Sequence, residues 1–114
     1  MKYLMLVLTE PIAEPVGGGN DIQSWVDAHD GSGERFFGDL LADASEAKTV
    51  RIRADGPRVT DGPFSPAHRS IAGLDILDCD SIERAIEIAF AHPMARGGVI
   101  EVRPFYCWEG EEGA

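Results

Sequence analysis

Residues Lys2 to Leu8 read KYLMLVL, and no other stretch leaves the chain fewer choices. As a strand it puts Leu4, Leu6 and Leu8 on one face and Tyr3, Met5 and Val7 on the other, so both faces are apolar and both need covering. A chain of 114 residues can bury one core in one domain, but not two. The remaining residues have to supply a cover for each side.

The order of elements says how far they can. Glu10 to Gly19 carries Pro11, Pro15 and three consecutive glycines, the chemistry of a surface loop. Asn20 with Gln23 has the form of a helix N-cap and capping box, and Asp21 suits the positive end of a helix. That helix is expected to run to about Asp30, with Ile22, Trp25, Val26 and His29 along one face. Arg35 to Leu41 and Lys48 to Ala54 read as strands joined by a polar turn at Asp43 to Ala47. On the second, Arg51 and Arg53 share one face and Val50 and Ile52 the other. Asp55-Gly56 signals a hairpin into Arg58, Val59 and Thr60. Ser70 to Cys79 is the next strand. Asp80 with Glu83 forms a second capping box, opening a helix with Ile82, Ala85, Ile86, Ala89 and Phe90 on its apolar face. Pro93 ends it, Gly97-Gly98 turns the chain, and Val99 to Phe105 makes the last strand.

Strand, helix, a strand hairpin with an extra short strand, strand, helix, strand is the split βαβ pattern of an α+β, ferredoxin-like sheet with both helices on one face. Two helices cover one side only. Tyr3, Met5, Val7, Ile71, Leu77 and Phe105 are expected on the uncovered side, and an apolar face of that size implies a homodimer in which two sheets shield each other. Residues 1–108 read as a single domain and 109–114 as an acidic tail, expected to be disordered.

Charge narrows the partners. The formal net charge of −10 argues against nucleic acid, which needs a basic footprint. The first apolar run is too short for a membrane span and lacks a signal-peptide cleavage site, so no membrane or export is expected. Cys79 and Cys107 have no zinc or redox spacing, which suits reduced thiols in a cytoplasm. Only residues 48–69 are net positive, with five basic and two acidic side chains. Lys48, Arg51, Arg53, Arg58 and Arg69 there either neutralise acidic neighbours or attract a small anion.

The chemistry-bearing candidates gather on this segment. In VTDGPFSPAHR, Pro63 and Pro66 have fixed φ and no N–H, so the stretch is a rigid loop rather than a central strand. Asp61 suits an Asx-type turn and Phe64 an apolar anchor. His68 is the candidate proton-exchanging group, with Asp61 its carboxylate and Arg51, Arg53, Arg69 or Arg103 holding substrate charge. Asp75 is the odd residue of its strand. At a solvated edge it needs nothing, whereas in a buried cavity it needs Arg103 or Arg51 as a partner. His29 is read as a histidine hydrogen-bonded at a helix C-terminus, or as a ligand contact. Histidines 29, 68 and 92 lack metal-ligand spacing. With no nucleophile elbow and no phosphate-cradling glycine loop, no metal or cofactor is called for.

Taken with VRIRADG before it, IAGLDI after it and EVRPF near the C-terminus, the Asp61–Phe64 word DGPF resembles the motif of the YCII-related family over Lys2 to Phe105. The resemblance implies small ferredoxin-like domains paired as dimeric α/β barrels, of largely unassigned activity. It also implies, for some members, a regulatory companionship with extracytoplasmic-function sigma factors. The family usually continues DGPFAETKE. Here Pro66 stands in place of a glutamate and His68 in place of a lysine, so only Asp61 to Phe64 carry over. The expected function is a small dimeric ligand-binding or regulatory module with a pocket near the DGPF loop. The alternative is a cofactor-independent acid/base enzyme of the isomerase or small-monooxygenase type, acting on a small anionic or carbonyl compound.

Overall fold

The computed structural model describes residues 1–10, 16–19 and 21–108. The cap expected at Asn20, the prolines at 11 and 15, and the acidic tail 109–114 lie outside them. The elements are β1 (Lys2–Thr9), α1 (Ile22–Gly31), β2 (Arg35–Leu40), β3 (Lys48–Arg53), β4 (Gly56–Asp61), β5 (Ile71–Asp78), α2 (Ile82–Phe90), α3 (Met94–Gly97) and β6 (Gly98–Pro104). Four strands form one antiparallel sheet in the order β2-β5-β1-β6, and β3 and β4 form a separate two-stranded sheet. This is the ferredoxin-like α+β arrangement. No helix is long and apolar enough to cross a membrane among the described residues.

Both long helices start one residue later than the capping boxes suggest. Asp21 caps α1 by accepting the Ser24 N–H at 2.8 Å, and Ser81 caps α2 by accepting that of Arg84 at 3.1 Å. In each case a second capping-competent residue follows the expected one, and the later one has the extended backbone that a cap requires. Gln23 donates to Asp27 at 2.8 Å instead of reaching back to the cap.

Four of the six residues expected on the open face lie on the other one, while Ile71 and Phe105, opposite Leu8 and Lys2, are on the open face as expected. Tyr3, Met5, Val7 and Leu77 lie under the helices, packed with Trp25, Cys79, Ala85, Ile88 and Ala89. Alternation sorts a strand into two sets without saying which set meets the helices. The deciding residues are on β5, where Gly73 and Asp75 share the helix side with Leu77. The open face carries Leu4, Leu6, Leu8, Leu74 and Ile76, with Ile71 brought to it by a register step that pairs it with Leu8. On α2 the core-facing residues are Ala85, Ile88 and Ala89, while Ile86 and Phe90 are exposed.

Candidate functional site

A cavity of about 690 Å³ lies on the helix side, between α1, the β2–β5 edge and the segment His92–Met94. Ile22, Trp25, Val26, Leu40 and Met94 give it an apolar wall, and Arg35, Asp75 and His92 give it a polar end. Small-molecule sites are commonly built this way, with few polar groups in an apolar surround.

Asp75 projects into this space because its strand parity places it beneath the helices, where it is 6% exposed. A lone carboxylate there would be costly. Arg35 meets it from the facing strand, Nε donating to Asp75 Oδ1 at 2.8 Å while an amino group donates to Asp30 at 3.0 Å. Burial works against the charged guanidinium, but the bonds to Asp75 and Asp30 outweigh it and hold the Arg35 pKa above its usual value. Room for the pair comes from Gly38, the residue opposite Asp75. A Cβ on Gly38 would sit 1.8 Å from Asp75 Oδ1 and 2.6 Å from an Arg35 nitrogen.

His92 is 4% exposed and sets its ring edge-on to Trp25, the centroids 4.6 Å apart. Its Nδ1 accepts the Met94 N–H at 3.0 Å, so the neutral ring carries its proton on Nε2. Burial pushes its pKa below the usual histidine value, and the nearby Asp75 charge only partly opposes this. The cavity therefore combines an N–H donor, a carboxylate acceptor and a guanidinium. Trp25, which holds the histidine, is itself pinned by its indole N–H donating to Ile88 O at 2.9 Å.

Of the expected site residues, Asp75 lines this cavity and Phe64 and His68 line a second cleft, while the others stand outside both linings. Asp75 alone reaches the helix-side cavity, and its partner is Arg35 rather than Arg103 or Arg51. The edge exposure read as its simpler account does not occur, because Asp75 faces the helices. His29 is half-buried outside the cavity lining, its Nδ1 bonded to Trp25 O at 2.8 Å and its ring 4.9 Å from that of Trp25.

The DGPF loop borders a separate cleft of about 580 Å³, lined by Leu41, Lys48, Val50, Phe64, His68 and Ile71 among others. Gly62 turns it with a φ of +88°, a left-handed conformation suited to glycine. Its N–H donates to Ala47 O at 2.7 Å, and the Thr49 hydroxyl donates to Gly62 O at 2.8 Å. Ser65 caps the 3₁₀ turn Pro66–Ser70 by accepting the Ala67 N–H, which gives Pro66 a structural place at the start of a turn. His68 is exposed and packs toward Phe64, centroids 6.2 Å apart, while Arg51 stacks over Phe64 at 5.3 Å. Asp61 pairs with Lys48, not with His68. Arg53 donates to the neighbouring Ile52 carbonyl, Arg69 lies beside Gly62 and Asp43, and Arg103 is exposed at the open face opposite Leu4.

Sequence reasoning missed Arg35 and His92. A glycine inside an edge strand with an arginine three residues before it is a weak signal. His92-Pro93 after a helix is read first as a stop.

The family model described as the YCII-related domain matches residues 1–109 of the chain. No curated protein matches it.

Proposed function

The chain belongs to the YCII-related family, and from that premise we propose that it is a small dimeric ligand-binding module whose ligand occupies the helix-side cavity. The observation that carries this reading is the Arg35–Asp75 pair, buried beside His92 at the end of an apolar chamber. Polar groups at the DGPF cleft are mostly solvent-exposed, so water competes there for every bond a ligand would make. The chamber suits a compound with an apolar or aromatic body and an oxygen-bearing end, a carboxylate or carbonyl that accepts from His92 Nε2–H and Arg35. The homodimer belongs to the same reading, since Leu4, Leu6, Leu8, Leu74 and Ile76 leave an apolar sheet face without a helix over it. A cytoplasmic location accords with the free, buried Cys79 thiol. The sigma-factor-related partner rests on the family resemblance alone.

The test is a thermal-shift and calorimetric screen with small aromatic carboxylates and ketones. A ligand at about one hundred times its Kd stabilises by roughly 2.7 kcal/mol. The effect should vanish in Met94→Trp, which fills the chamber, and persist in His68→Ala. Binding that survives Met94→Trp and is lost in His68→Ala places the ligand at the DGPF cleft and overturns the assignment.

A second reading, proton transfer on the bound compound, is favoured by the neutral His92. In this reading its Nε2–H donates to a carbonyl oxygen while the Asp75 carboxylate accepts a proton from the adjacent carbon. Deuterium exchange into a bound ketone in D2O, abolished in Asp75→Asn, is the expected result. Absence of exchange with every ketone that binds leaves the binding module alone standing.

A further inference from the structure

The two-stranded sheet of β3 and β4 is built as though it leaned on something. Val50, Ile52 and Val59 share one face and are 69%, 75% and 63% exposed. On the other face Arg51 lies directly opposite Arg58, a like-charge pair that opposes the hairpin. An isolated two-stranded hairpin is marginal in water even without such a defect. The molecule is also flat, 49 × 46 × 20 Å, with a radius of gyration of 16.6 Å, where a compact domain of this length has about 13 Å. Arm and open sheet face therefore both await a cover.

Their chemistries match. Across the sheet, Asp39, Leu74, Leu6 and Glu101 stand in register, giving two leucines flanked by two carboxylates. Among the described residues neither Asp39 nor Glu101 meets a cation, and neither Arg51 nor Arg53 meets a carboxylate. From Lys48 to Asp61 there are four basic and two acidic side chains, in a chain of net charge −10, so the arm is the basic part of an acidic chain, and the leucine row on the face of a second copy ends in a carboxylate at each side, with Arg103 next to Glu101.

We propose that the β3–β4 arm of one copy docks on the open sheet face of a second copy. Its Val50–Ile52–Val59 side lies against the leucines, and Arg51 and Arg53 curl toward Asp39 and Glu101. Long arginine stems allow this from the far side of the hairpin. The inference rests on the dimer proposed above and says which element of the partner covers the face.

Two variants test it. Arg51→Glu with Arg53→Glu changes the charge of the arm, and Asp39→Lys with Glu101→Lys changes the charge of the face. By sedimentation equilibrium each is expected to dimerise at least about tenfold more weakly than the wild type. Mixing them one to one should restore a heterodimer, because one arm-on-face contact is then wild-type and the other carries reversed, complementary charges. Ile52→Asp should weaken the dimer similarly while leaving circular dichroism unchanged, since the residue is exposed. A monomeric wild-type chain removes the dimer reading itself. A wild-type dimer whose dissociation constant is untouched by Ile52→Asp, or a mixture that fails to recombine, overturns the arm contact alone.

Discussion

Arg35 and Asp75 face each other across the β2–β5 edge with Nε to Oδ1 at 2.8 Å, their side chains 16% and 9% exposed. Removing one partner of so sheltered a pair leaves the other charged and uncompensated. Arg35→Ala should therefore cost about 3–5 kcal/mol of unfolding free energy, measured by urea denaturation. Arg35→Met combined with Asp75→Leu should cost clearly less, because neither charge then remains buried.

Gly38→Ala should lower stability by roughly 1–3 kcal/mol. The added methyl overlaps the Asp75 carboxylate at 1.8 Å, and neither that short side chain nor the arginine bonded to it can withdraw freely. The check is the unfolding midpoint. A neutral result would mean that the pair has another place to go.

Acid sensitivity should come in two stages. His92 has a folded-state pKa below its ordinary 6.5, chiefly through burial. Between those values the unfolded chain binds the proton more readily, so stability is full above about pH 6.5 and declines as pH falls toward the folded pKa. Glu34 is held at about 2, first by its hydrogen bond from Arg84, against an ordinary 4.5. Its contribution is present above pH 4.5 and is lost as pH falls toward 2. Urea midpoints across this range should show the first stage abolished in His92→Gln and the second reduced in Arg84→Met.

Trp25 offers an optical reading of the same histidine. In a Trp108→Phe background, emission from Trp25 should fall on acidification as the ring 4.6 Å away becomes cationic. The midpoint should lie below 6.5, and the fall should disappear in His92→Gln.

Loss of the indole N–H in Trp25→Phe should cost about 0.5–1.5 kcal/mol beyond the change in size, because the buried Ile88 O loses this bond but keeps the one from the Ala91 N–H. Trp25→Tyr, which restores no donor at that position, should not rescue it.

The alternation of KYLMLVL, the Asp55-Gly56 turn and the helix stripes were enough to read the order of the strands and the two long helices, but not α3, which occupies the stretch between Pro93 and Gly98 that reads as a turn. What they could not give was orientation. Tyr3, Met5 and Val7 look as suited to an open face as Leu4, Leu6 and Leu8 do, and the choice depends on β5, which sends Gly73 and Asp75 under the helices. Asp75 was legible as an anomaly, but its partner was not, since Arg35 comes from a strand 40 residues earlier and nothing local marks the pair. His68 stood out because of the loop chemistry around it. His92 is the histidine that burial has altered, and burial is a property of packing between distant segments.

The register step between Val7 and Leu8 lets one strand serve two chambers. Below it β5 sends Asp75 to the helix-side cavity, and above it Ile71 joins the wall of the DGPF cleft. Ala72 is the extra residue of that step: without it β5 would be one residue shorter and Ile71 would still stand opposite Leu8, whereas a plain ladder that kept it would turn Ile71 beneath the helices.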